Sequence, residues 1–158
     1  MKYFFVSIIL FLSTACSIKN YEFTETKIVT LKTAKIKFSD IAYLRHTDNA
    51  LELELFMAGH VFKRITINHL ICVSDEGCMS KRAFTDAYLN KAYPQDILQN
   101  IVLGHKIFDG KNLIKNSSGF IQHIKTDKVN IKYIVKPQEI YFKDKKNHIL
   151  FKIKDIKQ

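Results

Sequence analysis

The period of the apolar residues changes twice along this chain, and that change limits what it can fold into. From Lys27 to Val73 they recur at every second position. Between Ser80 and Gly104 they recur at helical spacing, and beyond Gly110 the period of two returns. The clearest run is LELEL. Leu51, Leu53 and Leu55 fall on one side and Glu52 and Glu54 on the other, the pattern of a strand with one buried and one wet face. Met57-Ala58-Gly59-His60 reads as a tight connection to VFKRITI, and LICV at 70–73 as a further short strand. Upstream, Ile36 alternates with Phe38 and Ile41 with Tyr43. The two sets are out of phase, which predicts a bulge or turn at Ser39-Asp40.

In the middle, Ser80 is placed to cap a helix carrying Ala83, Phe84, Ala87 and Tyr88 on one side. Pro94 suits the first turn of a second helix, where Ile97, Leu98, Ile101 and Val102 form a stripe and Gly104 marks the end. The pair lacks a recognition helix of polar reading residues, so it does not point to DNA. After Asp109-Gly110, Val129, Ile131, Tyr133 and Val135 alternate. Pro137 marks an edge or corner, and Ile149, Phe151 and Ile153 alternate in the last strand. Strands, two helices, then strands predict an antiparallel α+β domain over residues 27–158.

The N-terminus reads differently. Lys2 precedes an apolar run from Tyr3 to Leu12, followed by Ser13, Thr14, Ala15 and Cys16. A membrane span needs about 20 apolar residues, so the run is too short for one and has the layout of a secretory signal over residues 1–15. The cysteine after small residues resembles a bacterial lipoprotein signal. That implies cleavage before Cys16 and acyl chains upon it, although Leu12 lies one residue further upstream than the usual leucine. An ordinary cleaved signal remains the alternative. Residues 16–26 then form the lipidated cysteine and a polar tether, and Ser17 rather than Asp after the cysteine fits the outer membrane.

The formal charge of +10 suits anionic lipid headgroups or an acidic partner, but no run of lysines forms a patch in the sequence. Export argues against nucleic acid. Cys72 and Cys78, in CVSDEGC, read as a disulfide closing a small loop; free thiols and a site with His69 are the alternatives, the last with spacing unlike a zinc site. His46, His60, His69, His105, His123 and His148 are scattered, and there is no nucleophile elbow or phosphate loop, so neither an enzyme nor a cofactor is expected.

Three segments carry a family resemblance: the Pro-led YPQDILQNIVLG, the hairpin LELELFMAGHVFKRITI, and the ending IKYIVKPQEIYFKDKKNHILFKIKDI with its proline corner and Asp-containing turn. Over roughly residues 51–156 the chain resembles the LolA/LolB lipoprotein-carrier family, most closely its outer-membrane receptor branch. The first half is short of strands, and the cysteine loop is not part of the family pattern. The resemblance implies a curved sheet, an incomplete β-barrel, with the helix pair on its concave side. It also implies an apolar cavity for lipoprotein acyl chains or other lipids, received from a LolA-like periplasmic carrier and passed to the outer membrane. The lining would come from Leu51, Leu53, Leu55, Ile97, Leu98, Ile101, Val129, Ile131, Tyr133, Ile149, Phe151 and Ile153; for any one of these residues, simply filling a core against the helices of 80–104 is the favoured reading. In such proteins the hairpin tip delivers cargo. Here that tip is Met57, Ala58 and Gly59, with Met57 the residue able to probe lipid. A structural subunit of an envelope assembly, docking other proteins through a sheet edge, is the rival reading.

Overall fold

The computed structural model describes residues 23–47 and 50–156. Within them, eleven strands form one antiparallel sheet. They are β1 (Phe23–Lys32), β2 (Lys37–His46), β3 (Leu51–Met57), β4 (His60–Ile67), β5 (Leu70–Val73), β6 (Gly77–Ser80), β7 (Leu113–Asn116), β8 (Gly119–Lys125), β9 (Asn130–Lys136), β10 (Glu139–Asp144) and β11 (Ile149–Asp155). Their spatial order is β6-β5-β4-β3-β2-β1-β11-β10-β9-β8-β7. Two meanders, one from each end of the chain, therefore meet where the first strand pairs with the last. β6 and β7 do not pair, so the sheet is not closed. β1 begins at Phe23, inside the stretch expected to be tether.

The expected α+β fold, with a helix pair packed against a sheet, is overturned. The helical stretch supplies only α1 (Lys81–Tyr88, 8 residues) and α2 (Ile97–Val102, 6 residues), so the fold is dominated by its sheet. Ser80 does cap α1, accepting from the Ala83 amide at 3.1 Å. What shortens the pair is side-chain competition for the backbone between them. The Asn90 carboxamide accepts from the Ala92 amide at 2.8 Å, and the Arg82 guanidinium donates to the carbonyls of Lys91 and Tyr93. Local bonds of this kind offer the chain an alternative to helix. Pro94 does not open α2; its carbonyl accepts from the Ile97 amide, three residues further on.

One face of the sheet wraps a single core. Leu53, Leu55, Ile65 and Ile71 from one meander meet Ile131, Tyr133, Phe142 and Phe151 from the other, around Phe84, Tyr88, Ile97 and Ile101. Three buried polar side chains clamp residues 93–112 to this face. Tyr93 donates to Asp144 at 2.6 Å, Tyr133 donates to the His105 carbonyl at 2.9 Å, and Gln122 both accepts from the Ile107 amide and donates to its carbonyl, each at 2.9 Å. Burial raises the Tyr133 pKa; burial, then the bond to Asp144, raises that of Tyr93.

The outer face departs from expectation in two places. No bulge interrupts β2 at Ser39-Asp40, since β1 and β2 stay in continuous register from Phe23↔His46 to Lys32↔Lys37. The phase slip is instead resolved by turning Ile41 and Tyr43 outward, leaving Phe38, Ala42 and Leu44 inside. The register irregularity lies at Leu55/Phe56, next to the β3–β4 tip. The wet face expected of β3 is also absent: Glu52 and Glu54 are buried, Glu54 at 3% exposure. Arg45 donates to Glu52 at 3.0 Å and to Glu54 at 2.7 Å, and Arg64 bonds Glu54 from the next strand. Burial alone would raise the Glu54 pKa, but the bonds from Arg64 and Arg45 hold it below the usual carboxylate value.

Candidate functional site

Antiparallel neighbours share ends, and the two ends of this sheet differ in chemistry. At one end lie the β1–β2, β3–β4, β8–β9 and β10–β11 connections; at the other lie Phe23, the β9–β10 corner and the end of β11.

The second end holds a cavity of about 340 Å³. Its inner surface is built from Leu44 of β2, Val102 and Leu103 at the end of α2, Val135 and Ile140 flanking the proline corner, and Ile153 of β11. Its rim is charged. Lys27 reaches Glu25 at 2.7 Å and Asp155 at 2.6 Å, with His46, Lys136 and Glu139 close by. Burial would lower the Lys27 pKa, but Asp155 and Glu25 more than offset it and raise it. Gly104 allows the close approach that closes this space: a Cβ there would stand 3.2 Å from Val135 Cγ1. An apolar interior under an ionic rim fits an amphiphile, tail inward and head outward.

Ile153 is the member of the expected lining set that faces this cavity. Leu51, Leu53, Leu55, Ile97, Leu98, Ile101, Val129, Ile131, Tyr133, Ile149 and Phe151 are all buried in the core cluster. Ile149 and Val129 also border shallow clefts at the sheet's other end. The alternation that marked these residues reports which side of a strand is inside; it does not say which inside positions keep open space beside them. Leu44, Val102, Leu103, Val135 and Ile140 were missed for that reason. The signal available was positional, since four of the five lie within three residues of Gly104 or Pro137.

At the first end, Ala58 (φ +52°) and Gly59 (φ +81°) make the two-residue turn of the β3–β4 hairpin, a pair of left-handed positions suited to the twist of its strands. Met57 is 46% exposed there, with Val61 and Phe62 also exposed; Phe62 stacks on the buried Phe38 at 6.0 Å. Tyr43 meets Phe56 edge-on behind the tip. The hairpin thus presents an apolar tip on a packed aromatic base.

Cys72 and Cys78 face each other across β5 and β6, their sulfurs 2.01 Å apart, at disulfide distance. Among the described residues no cluster of His, Cys, Asp or Glu is placed to hold a metal ion. Cys16 lies outside the described residues. Comparison with protein-family models, curated proteins and solved structures finds no match.

Proposed function

We propose that this protein is a lipid-anchored carrier of the outer membrane, acylated at Cys16 and facing the periplasm. It holds acyl chains of lipoproteins or other lipids in an apolar cavity and passes them to the membrane. The resemblance to the LolA/LolB family suggests the reading and a LolA-like carrier as donor. The observation that carries it is the cavity between α2, the proline corner and β11, whose apolar interior and charged rim suit an acyl tail and its polar head. Each methylene moved from water into such a space contributes about 0.8 kcal/mol, so a few are enough for useful binding.

A paired experiment tests this. Val135→Trp should fill the cavity and remove most of the lipid extracted with the parent protein, while its thermal melt stays close to that of the parent. Met57→Glu should keep the lipid and the fold but cut transfer to liposomes at least about tenfold, because a charged tip cannot enter an apolar layer. Unchanged lipid content in Val135→Trp would remove the cavity from the account. Full transfer by Met57→Glu would remove the tip.

Anchoring is tested separately. Cys16→Ala should move the chain from the membrane fraction to the soluble fraction; a variant that still sediments with membranes is held by something else.

The rival reading, a scaffold subunit, draws on the open sheet edges, where Ile114 of β7 is 65% exposed. Purification from membranes in mild detergent separates the two: bound lipid favours the carrier, and a stoichiometric protein partner favours the scaffold.

A further inference from the structure

The sheet register assembles a basic surface that the linear sequence does not contain. On the outer face, Lys37 stands opposite Lys32, Lys32 opposite Leu150, Leu150 opposite Lys143, Lys143 opposite Lys132, and Lys132 opposite His123. One row thus crosses six strands with four lysines, a histidine and no acid. All but Leu150 are exposed, and none of the four lysines forms an ion pair among the described residues. Lys125, Lys128 and Lys145 extend it around the adjoining turns, all exposed, whereas Lys35 in the β1–β2 turn lays its ammonium over the Tyr88 ring on the inner side.

Two features set this row apart from a merely lysine-rich surface. Lysines directly opposite one another in a sheet repel, and the row contains two such pairs, Lys37–Lys32 and Lys143–Lys132. Most acids that could relieve them are placed elsewhere: Glu52 and Glu54 pair with arginines, and Glu25, Glu139 and Asp155 ring the cavity at the opposite end, which leaves Asp127, in the turn between Lys125 and Lys128, as the acid nearest the β8 end of the row. The row also lies at the same end of the sheet as the apolar tip of Met57, Val61 and Phe62.

Positive charge beside exposed apolar side chains is the chemistry of a bilayer interface, where lysines meet phosphates and apolar groups enter the acyl boundary. We infer that the row Lys37, Lys32, Lys143, Lys132 and His123 docks this protein on a membrane surface carrying anionic phospholipid headgroups. An acidic protein partner would use the charge and leave the apolar tip unexplained. The inference needs no cargo, so it stands or falls apart from the carrier function.

The test uses the full chain with Cys16→Ala, so that no acyl anchor contributes, and vesicles of phosphatidylcholine with or without phosphatidylglycerol. Each lysine near an anionic surface strengthens partitioning about fivefold. The parent should therefore prefer phosphatidylglycerol vesicles, with binding that falls as salt is added. Changing Lys32, Lys37, Lys132 and Lys143 together to Gln should weaken that binding at least about tenfold, with a melting temperature no lower than the parent's because repulsion is relieved. A control with Lys106, Lys115 and Lys154 changed to Gln removes comparable charge elsewhere and should keep most of the binding. Equal losses in both variants, or no preference for phosphatidylglycerol in the parent, overturn the inference. So does row-dependent binding of polyglutamate without vesicle binding, which would assign the surface to an acidic protein.

Discussion

Asp144→Ala is expected to destabilise the protein by roughly 3–5 kcal/mol, a large share of the stability of an ordinary domain. The Asp144 carboxylate is fully buried at the end of β10 and forms no ion pair among the described residues. It is satisfied by donors instead. One oxygen accepts from the amides of Asn130, Lys146 and Asn147, at 3.0, 2.9 and 3.3 Å. The other accepts from the Tyr93 hydroxyl and the Asn147 carboxamide, each at 2.6 Å. Truncation strands several buried donors together and unclamps Tyr93, and with it the segment between α1 and α2. Asp144→Asn keeps part of the network and should lose less.

The same carboxylate sets a pH dependence. Burial would raise its pKa, but the bonds from the Tyr93 and Asn147 side chains and from the Asn130 and Lys146 amides lower it below the ordinary carboxylate value. The folded state therefore holds the proton less readily than the unfolded chain. The stabilisation is complete above the unfolded pKa, near 4, and is lost as pH falls through the lower folded value. Urea melts of the parent between neutral pH and pH 3 should show this loss, and melts of Asp144→Asn should show a shallower one. An Asp144→Ala midpoint close to the parent's would mean that the network contributes little.

Gly119→Ala is expected to cost about 3 kcal/mol or more, lowering the melting temperature by roughly 10 °C. Gly119 opens β8 at φ +139°, where side chains are rarely tolerated, and a Cβ there would lie 2.0 Å from the Val135 carbonyl oxygen. Backbone must move, and it is the backbone that frames the cavity beside the proline corner. Gly59 is the contrast. Its φ is also positive, but a Cβ there meets nothing within 4 Å, so Gly59→Ala should cost only about 1 kcal/mol. Similar melting temperatures for the two variants would show that the β8–β9 backbone yields easily.

The strands were legible because one face of each had to be apolar. Leu51, Leu53 and Leu55, Ile131 and Tyr133, and Ile149, Phe151 and Ile153 are buried together as their alternation required. The cap at Ser80 and the turn at Ala58-Gly59 were legible because both rest on local chemistry. Helix length was not, because Asn90, Arg82 and the buried Tyr93 fix residues 89–96 by contacts that no periodicity records. Nor was the burial of Glu52 and Glu54, which needs Arg45 and Arg64 on the two flanking strands. The basic row was hidden most completely. Lys32 and Lys143 lie far apart in sequence and are brought to either side of Leu150 by the pairing of the first strand with the last.

Given the proposed anchor at Cys16, that pairing would also decide how far the domain can lean from it. β1 leaves the sheet at Phe23, at the end opposite Met57. From Cys16 to Phe23 the chain reaches at most about 25 Å when drawn out, whereas β1 alone is about 30 Å tall. A domain held by Cys16 and standing upright would keep its hairpin tip out of reach of its own membrane. To bring the tip down it must recline, and a reclining sheet can lay its outer face, lysine row included, along the bilayer. The short leash would then act as a pivot: lengthening it would free the posture, and shortening it would hold the tip aloft.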